Sequence, residues 1–429
     1  MLSTRQILHV DMNAFYASCH AAEEPNKYAN RPIAVAGSPE TRHGIVVTAS
    51  YEARRRGVKT TMTVQEALRV CKDLIFIPPD FALYRKYARR VFDIVRRFTP
   101  LVEIVSIDEC YADVTGSRQF GDGLTIAKTI QDTIRDELQL PCSIGVANSK
   151  FFAKMGSNLK KPMGISHISP SNFQTILWPM SVEEIHGVGD KTAAKLQAIG
   201  IRTIGQFALA SDSLITHLLG VRGLELKRFV NGEDDRPVSP EPAPAKSIGH
   251  SITLPSDVTD METLRRVLLN LSDQIGRRMR KHQVIGRVLT LTIRYENRET
   301  VTRRKLLNYR TDLTEHIYQH AQTLLQSNWQ VNRAIRLIGI SMSDFSEKDN
   351  SSEVALQTDL FHLTKQQAEF EHDTKLEKLT RVTDALRNRF GENILVKGRM
   401  LQPDNSNALR DHRSRGTSLQ KDRLFEEEP

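Results

Sequence analysis

Cysteine is scarce: Cys19, Cys71, Cys110 and Cys142 are the only four in 429 residues. They lie far apart with neither paired nor finger-like spacing, which argues against a disulfide framework and a zinc finger and casts each as a reduced, small apolar filler. No run of about 18 apolar residues occurs, so no membrane-spanning helix is expected. The first residues lack the charged, apolar and small-residue regions of a signal peptide. These absences lead to the expectation of a cytoplasmic protein without a membrane partner. Charge is less even: Lys and Arg number 60 against 51 Asp and Glu, a net +9 with a pI near 9.3. That balance admits a polyanionic partner such as nucleic acid without requiring one. The length exceeds what a single core holds and suggests about three domains.

What is present reads first as alternating strands and helices. Apolar runs predict strands over 7–11, 32–36, 45–48, 103–107, 110–114 and 142–147. Helical spacing predicts helices over 13–24, from Tyr51, over 65–70, 84–97, 126–138 and 149–159. This first region is therefore α/β. Beyond Pro170 the pattern changes to short helices separated by glycines, ending in a stretch with prolines at 237, 240, 242 and 244, an extended linker. From 246 to 345 the order β-α-β-β-α-β is that of a split βαβ unit. A polar stretch, an amphipathic segment over 369–390 and a charged tail from Gln402, read as disordered, complete the chain.

Four short strings carry candidate chemistry: His9-Val10-Asp11-Met12-Asn13, TASYEAR from Thr48 to Arg54, Ser106-Ile107-Asp108-Glu109, and Lys160-Lys161-Pro162. Mg²⁺ binds through carboxylates plus phosphate oxygens, and two ions can hold both oxygens of an in-line displacement. Asp11 ends a strand, and Asp108 with Glu109 lies between two more. Adjacent strand residues point to opposite faces, so Asp108 and Glu109 can serve one site only if the chain turns there. For either motif alone, a solvated acidic turn is the plainer reading. Tyr51 and Arg54 share one face of a helix opening beside Thr48, and a phenol, a guanidinium and a hydroxyl can together take triphosphate oxygens. Lys161, before a proline, adds a point charge. The combination makes phosphoryl or nucleotidyl transfer the leading reading.

Two further features suit a DNA backbone. Gly187-Val188-Gly189 between short helices is similar to the hairpin of a helix-hairpin-helix, where glycines let backbone N–H groups approach a phosphate. The split βαβ region is rich in Arg and Lys, including Arg294, Arg298, Arg303 and Arg304, with few aromatics between them, which fits phosphate contact better than base stacking. Gln357-Thr358-Asp359-Leu360-Phe361 follows a polar linker, and an exposed Leu-Phe pair there can anchor in a partner's pocket. Residues 420–425 (QKDRLF) weakly echo it.

At these residues the sequence resembles the Y-family translesion DNA polymerases, most closely the bacterial DNA polymerase IV group. The matching strings are VDMNAFYASC, VVTASYEARRRGVK, VSIDECYADV, SIGVANSKFFAKMGSNLKKPMGI, IHGVGDKTAAKLQAIGI and KSIGHSIT, in family order over roughly residues 5–345. The resemblance implies a right-hand polymerase of α/β and α+β domains. The palm would be 1–13 and 81–168, small fingers 14–80, a helix-hairpin-helix thumb 169–236, a linker 237–245, a split βαβ little finger 246–346 and a tail 347–429. It implies two Mg²⁺ ions on Asp11, Asp108, Glu109 and the Met12 carbonyl. Deoxynucleoside triphosphate would meet Phe15, Tyr16, Thr48, Tyr51, Arg54 and Lys161, with Tyr16 at the steric-gate position against a 2′-OH. Primer-template DNA is the implied polymeric substrate, Gln357, Leu360 and Phe361 the implied contact to a sliding clamp, and a monomer the implied state. Asn13 departs from the acidic residue common at its position, and Cys110 from an alanine.

Two rivals differ in class. A non-catalytic DNA-binding adaptor would be expected to have lost a carboxylate, and all three are present. A cyclase could share a palm-like sheet, yet has no use for a duplex grip.

Overall fold

A computed structural model describes residues 5–37, 44–241, 244–330, 333–348, 363–391 and 394–400. The chain divides into two compact units on either side of Pro242 and Ala243, inside the proline-rich stretch.

The first unit is built on a five-stranded sheet. Its strands are β1 (Ile7–Met12), β5 (Val102–Ile104), β6 (Glu109–Asp113), β7 (Cys142–Ala147) and β8 (Ile165–Ile168). A smaller three-stranded sheet holds β2 (Ile33–Ala36), β3 (Val46–Ala49) and β4 (Ile75–Ile77). The large sheet has the order β5-β6-β1-β7-β8, with β1 antiparallel to both β6 and β7. Period-two alternation sends Leu8, Val10 and Met12 of β1 and Cys110 and Ala112 of β6 to one face. There they form a core with the helices Phe81–Arg96 and Gly123–Leu138, through Val91, Val95, Ile126, Ile130 and Ile134. The opposite face carries Ile7, His9 and Asp11 and is covered by the helix Lys150–Leu159.

That helix approaches the sheet closely at Gly145 of β7, where an added Cβ would fall 1.9 Å from the Ala153 carbonyl oxygen. Short helices over 173–230 pack a further apolar cluster around Leu196, Ile204, Phe207 and Leu226, joined by Phe151 and Phe152.

The second unit holds β9 (Ser247–Val258), β10 (Val284–Tyr295), β11 (Thr300–Thr311) and β12 (Ile335–Glu347) in the order β11-β10-β12-β9. β9 and β10 both run antiparallel to β12 between them, so the expected split βαβ arrangement is formed. Helices Met261–Lys281 and Thr314–Asn328 bury one face of this sheet. The helix Leu363–Phe390 is tied to the same unit by Arg387 to Asp273 at 2.9 Å and Arg280 to Asp384 at 2.6 Å. It begins earlier than the amphipathic segment at 369 suggests.

All four cysteines are free and buried, as their spacing implies. Among the described residues no helix is long and apolar enough to cross a membrane. Of the boundaries that differ from expectation, two adjoin the acidic residues. The first helix runs Phe15–Glu23, because Ala14 takes a left-handed conformation (φ 48°) where the chain leaves β1. The strand expected over 103–107 stops at Ile104, because the Val105 and Ser106 amides both donate to the Glu109 carbonyl and close a tight bend.

Candidate active site

The bend over 105–108 sets the acidic residues. Asp11 and Glu109 are direct partners across the β1–β6 ladder, so their side chains project from the same face. Asp108 sits on the bend one residue earlier, and its carbonyl accepts from the Met12 amide at 2.9 Å. Its side chain takes a 2.6 Å hydrogen bond from Ser106 Oγ. Burial holds the Asp108 carboxyl above the usual aspartate range; the Ser106 bond opposes this, and the charges of Asp11 and Glu109 add to it. That mutual repulsion places the three carboxylates in one electrostatic neighbourhood.

Two lysines claim the carboxylate oxygens. Lys161 Nζ lies 2.6 Å from Asp11 Oδ1, and Lys154 Nζ lies 3.0 Å from Asp11 Oδ2 while also bonding Glu109 Oε2. Burial works against the Lys154 ammonium, yet Asp11 and Glu109 outweigh it and raise its pKa. Among the described residues no three acidic, histidine or cysteine groups converge as a ready-made ion cage. Asp11 and Glu109 stand as neighbours held by ammonium groups, and Asp108 by the Ser106 hydroxyl.

Lys154 was not among the residues singled out from sequence, although a signal existed. Lys150 and Lys154 lie one turn apart on the face of the helix Lys150–Leu159 turned to the sheet, where cations are expected only with partners. His9, named in the first string but given no role there, sits two residues from Asp11 on the same strand face. Ser157 Oγ donates to the Lys154 carbonyl at 2.9 Å, so it accepts from His9 Nδ1, also at 2.9 Å. Burial, then Lys154, Lys161 and His186, pushes the His9 pKa well down, and its Nε2 points at Glu109 Oε2 from 3.6 Å without a hydrogen-bond partner.

Asn13, the departure from an acidic residue, is buried, and its Oδ1 accepts from Ser143 Oγ and the Met163 amide. It fastens the loop carrying Lys161 to the end of β1 without adding a fourth negative charge. Tyr16 stacks on Tyr84 at 4.2 Å and meets the edge of Phe81 at 6.1 Å. Phe15 is buried in the adjoining core, so it backs this aromatic group. Thr48 is buried on β3, and Tyr51 opens the short helix Tyr51–Arg55 with the Arg54 guanidinium 5.0 Å from its ring. Arg54 Nε donates to the Ala49 carbonyl at 2.9 Å. The Tyr51 phenol is raised by burial, lowered by Arg54 and raised by Asp11. The small sheet thus brings Tyr51 within the field of the acidic strand ends.

Gly187 has φ +97°, a conformation that favours glycine, and Gly189 caps the helix Asp190–Ala198 with no protein atom within 4 Å of an added Cβ. In the second unit, alternation separates Arg303 from Arg304. Arg303 pairs with Leu291, whose side chain is in the core, and its Nε donates to Asn328 on the helical side. Arg304 and Arg294 share the other face with Thr290, Thr292, Thr300, Thr302, Ser341 and Ser343. Arg298 occupies the β10–β11 turn with φ 69°. Arg303 and Arg304, named together from the sequence, therefore stand on opposite faces of the sheet, as adjacent strand residues do. Gln357, Leu360 and Phe361, and the weaker string at 420–425, lie outside the described residues.

Comparison with known proteins matches residues 10–158 to the impB/mucB/samB family, 170–201 to the HHH motif of the same family and 245–360 to its C-terminal domain. DNA polymerase IV of Oceanobacillus iheyensis is 42% identical over 98% of this chain and 96% of its own. DNA polymerase IV 1 of Bacillus subtilis is 41% identical over 99% and 98%. Among solved structures, a Y-family DNA polymerase chimera aligns with a TM-score of 0.70 at 25% identity, covering 79% of this chain and 98% of that one.

Proposed function

The chain belongs to the impB/mucB/samB family, that of DNA polymerase IV, and from that premise we propose that Asp11, Asp108 and Glu109 form its polymerising centre. It is a translesion DNA polymerase, adding deoxynucleotides to a primer end under the direction of a template. Membership implies dependence on divalent metal in general. The donor set fits Mg²⁺: three carboxylates and a backbone carbonyl at Met12 are hard oxygen ligands, and the repulsion felt by Asp108 calls for positive charge. Ions held there would supply Lewis-acid activation of the primer 3′-oxygen and charge neutralisation at the leaving pyrophosphate.

The observation that carries the assignment is the Asp11–Glu109 cross-strand pair with Asp108 on the adjoining bend. The remaining groups take their roles from chemistry. Lys161, reaching Asp11 from a partly exposed loop, can turn its ammonium to the triphosphate, beside the Tyr51 phenol and the Arg54 guanidinium. Positioning and charge neutralisation are then most of the catalysis. Tyr16, held flat against Tyr84, presents a ring that cannot yield to a ribose 2′-OH. In the second unit the open face of Arg294, Arg304, serines and threonines suits a phosphate backbone, and in the first Gly187 and Gly189 can offer backbone amides to a phosphate. The domain division given by the resemblance, a cytoplasmic location, a monomeric state and the clamp contact through Gln357, Leu360 and Phe361 complete the reading.

Primer extension tests it. Asp11→Ala or Asp108→Ala should lower extension at least 10³-fold while duplex affinity, read by fluorescence anisotropy, stays within about threefold. Near-normal extension by either variant would refute the centre. In the same assay supplied with ribonucleotides, Tyr16→Ala should raise their incorporation, and unchanged sugar discrimination would remove the gate.

A further inference from the structure

We propose that Lys154 is a built-in counter-ion that occupies Asp11 and Glu109 and weakens their hold on free divalent ions until a nucleotide triphosphate brings compensating charge. The inference rests on the reading of those carboxylates as ion ligands. One ammonium nitrogen bridges two carboxylates from neighbouring strands, at 3.0 Å from Asp11 Oδ2 and in direct bond to Glu109 Oε2, which is the work a shared ion would do.

The two lysines differ in freedom. The Lys154 side chain is 10% exposed and that of Lys161 29%. Lys154 springs from the middle of a helix pressed on β7 at Gly145, whereas Lys161 lies on a loop that can release Asp11. Lys154 is therefore the more firmly held of the two among the carboxylates, and Lys161 the freer to follow the substrate.

Charge decides the consequence. Three carboxylates against two ammonium groups leave a small net negative charge, so two divalent ions alone would make the site strongly positive. A triphosphate of about four negative charges restores balance, in a half-buried place where unbalanced charge is costly. Lys154 is thus a positioning residue, which couples ion loading to nucleotide arrival.

The test is Mn²⁺ binding to the full chain without DNA, followed by electron paramagnetic resonance, with and without a non-reacting deoxynucleoside triphosphate analogue. Lys154→Met keeps the stem and removes the charge. It should bind Mn²⁺ at least tenfold more tightly than the wild type without nucleotide, and the nucleotide should then tighten binding less. Lys154→Gln should change in the same direction by less, and Lys154→Arg should stay close to the wild type. Metal-free Lys154→Met should also melt lower, and Mn²⁺ should raise its Tm more than it raises that of the wild type.

A folded Lys154→Met or Lys154→Gln protein with wild-type or weaker Mn²⁺ affinity overturns the counter-ion role. Asp11→Ala separates the two claims. If it abolishes Mn²⁺ binding while the Lys154 variants bind as the wild type does, only the counter-ion role fails. If it leaves Mn²⁺ binding unchanged, the ligand reading fails and the counter-ion role with it.

Discussion

Asp108 and Asp11 are both aspartates of one site, yet their partners differ. Asp11 is gripped by two ammonium groups, whereas Asp108 has the Ser106 hydroxyl. Burial raises the Asp108 carboxyl, and Asp11 and Glu109 add to the rise against the Ser106 bond. A carboxyl raised in the folded state binds its proton more tightly there than in the unfolded chain. Its ionisation penalty is absent below the unfolded pKa, about 4, and accumulates as pH rises through the folded value. Asp108→Asn, which keeps an acceptor for Ser106, should therefore melt higher than the wild type at pH 7.5 without metal, by a few degrees. The gain should shrink on acidification towards about pH 4, where the wild-type carboxyl is protonated as well. Equal Tm differences at both pH values would mean that the charge is not what destabilises the site.

The helix Lys150–Leu159 sets the site more than any single side chain does, since it carries both Lys154 and Ser157, the partner of His9. Its seat is Gly145, whose missing Cβ lets the Ala153 carbonyl lie against β7. Much of this was legible from residues alone. Apolar runs located β1, β6 and β7, and two consecutive acidic residues required a turn, because a straight strand would have sent them to opposite faces. The turn falls over 105–108, so Glu109 already stands on the ladder opposite Asp11. Lys154 and His9 were hidden because their meaning lies in what the helix and strand meet, and local periodicity carries no information about that. Arg303 and Arg304 show the same limit: their spacing marks a basic stretch, but only the register with Leu291 and Thr290 shows which one faces the helices. The helix start at Leu363 lies in a polar stretch where apolar periodicity is weak.

At the scale of the whole molecule, an excess of nine positive charges means little until it is sorted by surface. Part of the basic content of the second unit is neutralised internally: Arg280 by Asp384, Arg387 by Asp273, Arg336 by Asp257, and Arg333 by Glu299. The open face of its sheet carries Arg304, and Arg294 there bonds the neutral Thr300 hydroxyl. Each phosphate neutralised by such a group releases counterions and steepens the salt dependence of binding by roughly 0.9 in log–log slope. Arg294→Ala with Arg304→Ala should therefore weaken binding to a primer-template duplex and flatten that slope by about one to two units. Arg303→Ala should leave the slope unchanged, since its guanidinium is engaged with Asn328 on the helical side. Anisotropy titrations between about 50 and 200 mM salt separate the two cases. A wild-type slope in the double variant, or a flattened one in Arg303→Ala, would move the DNA to the other side of the sheet.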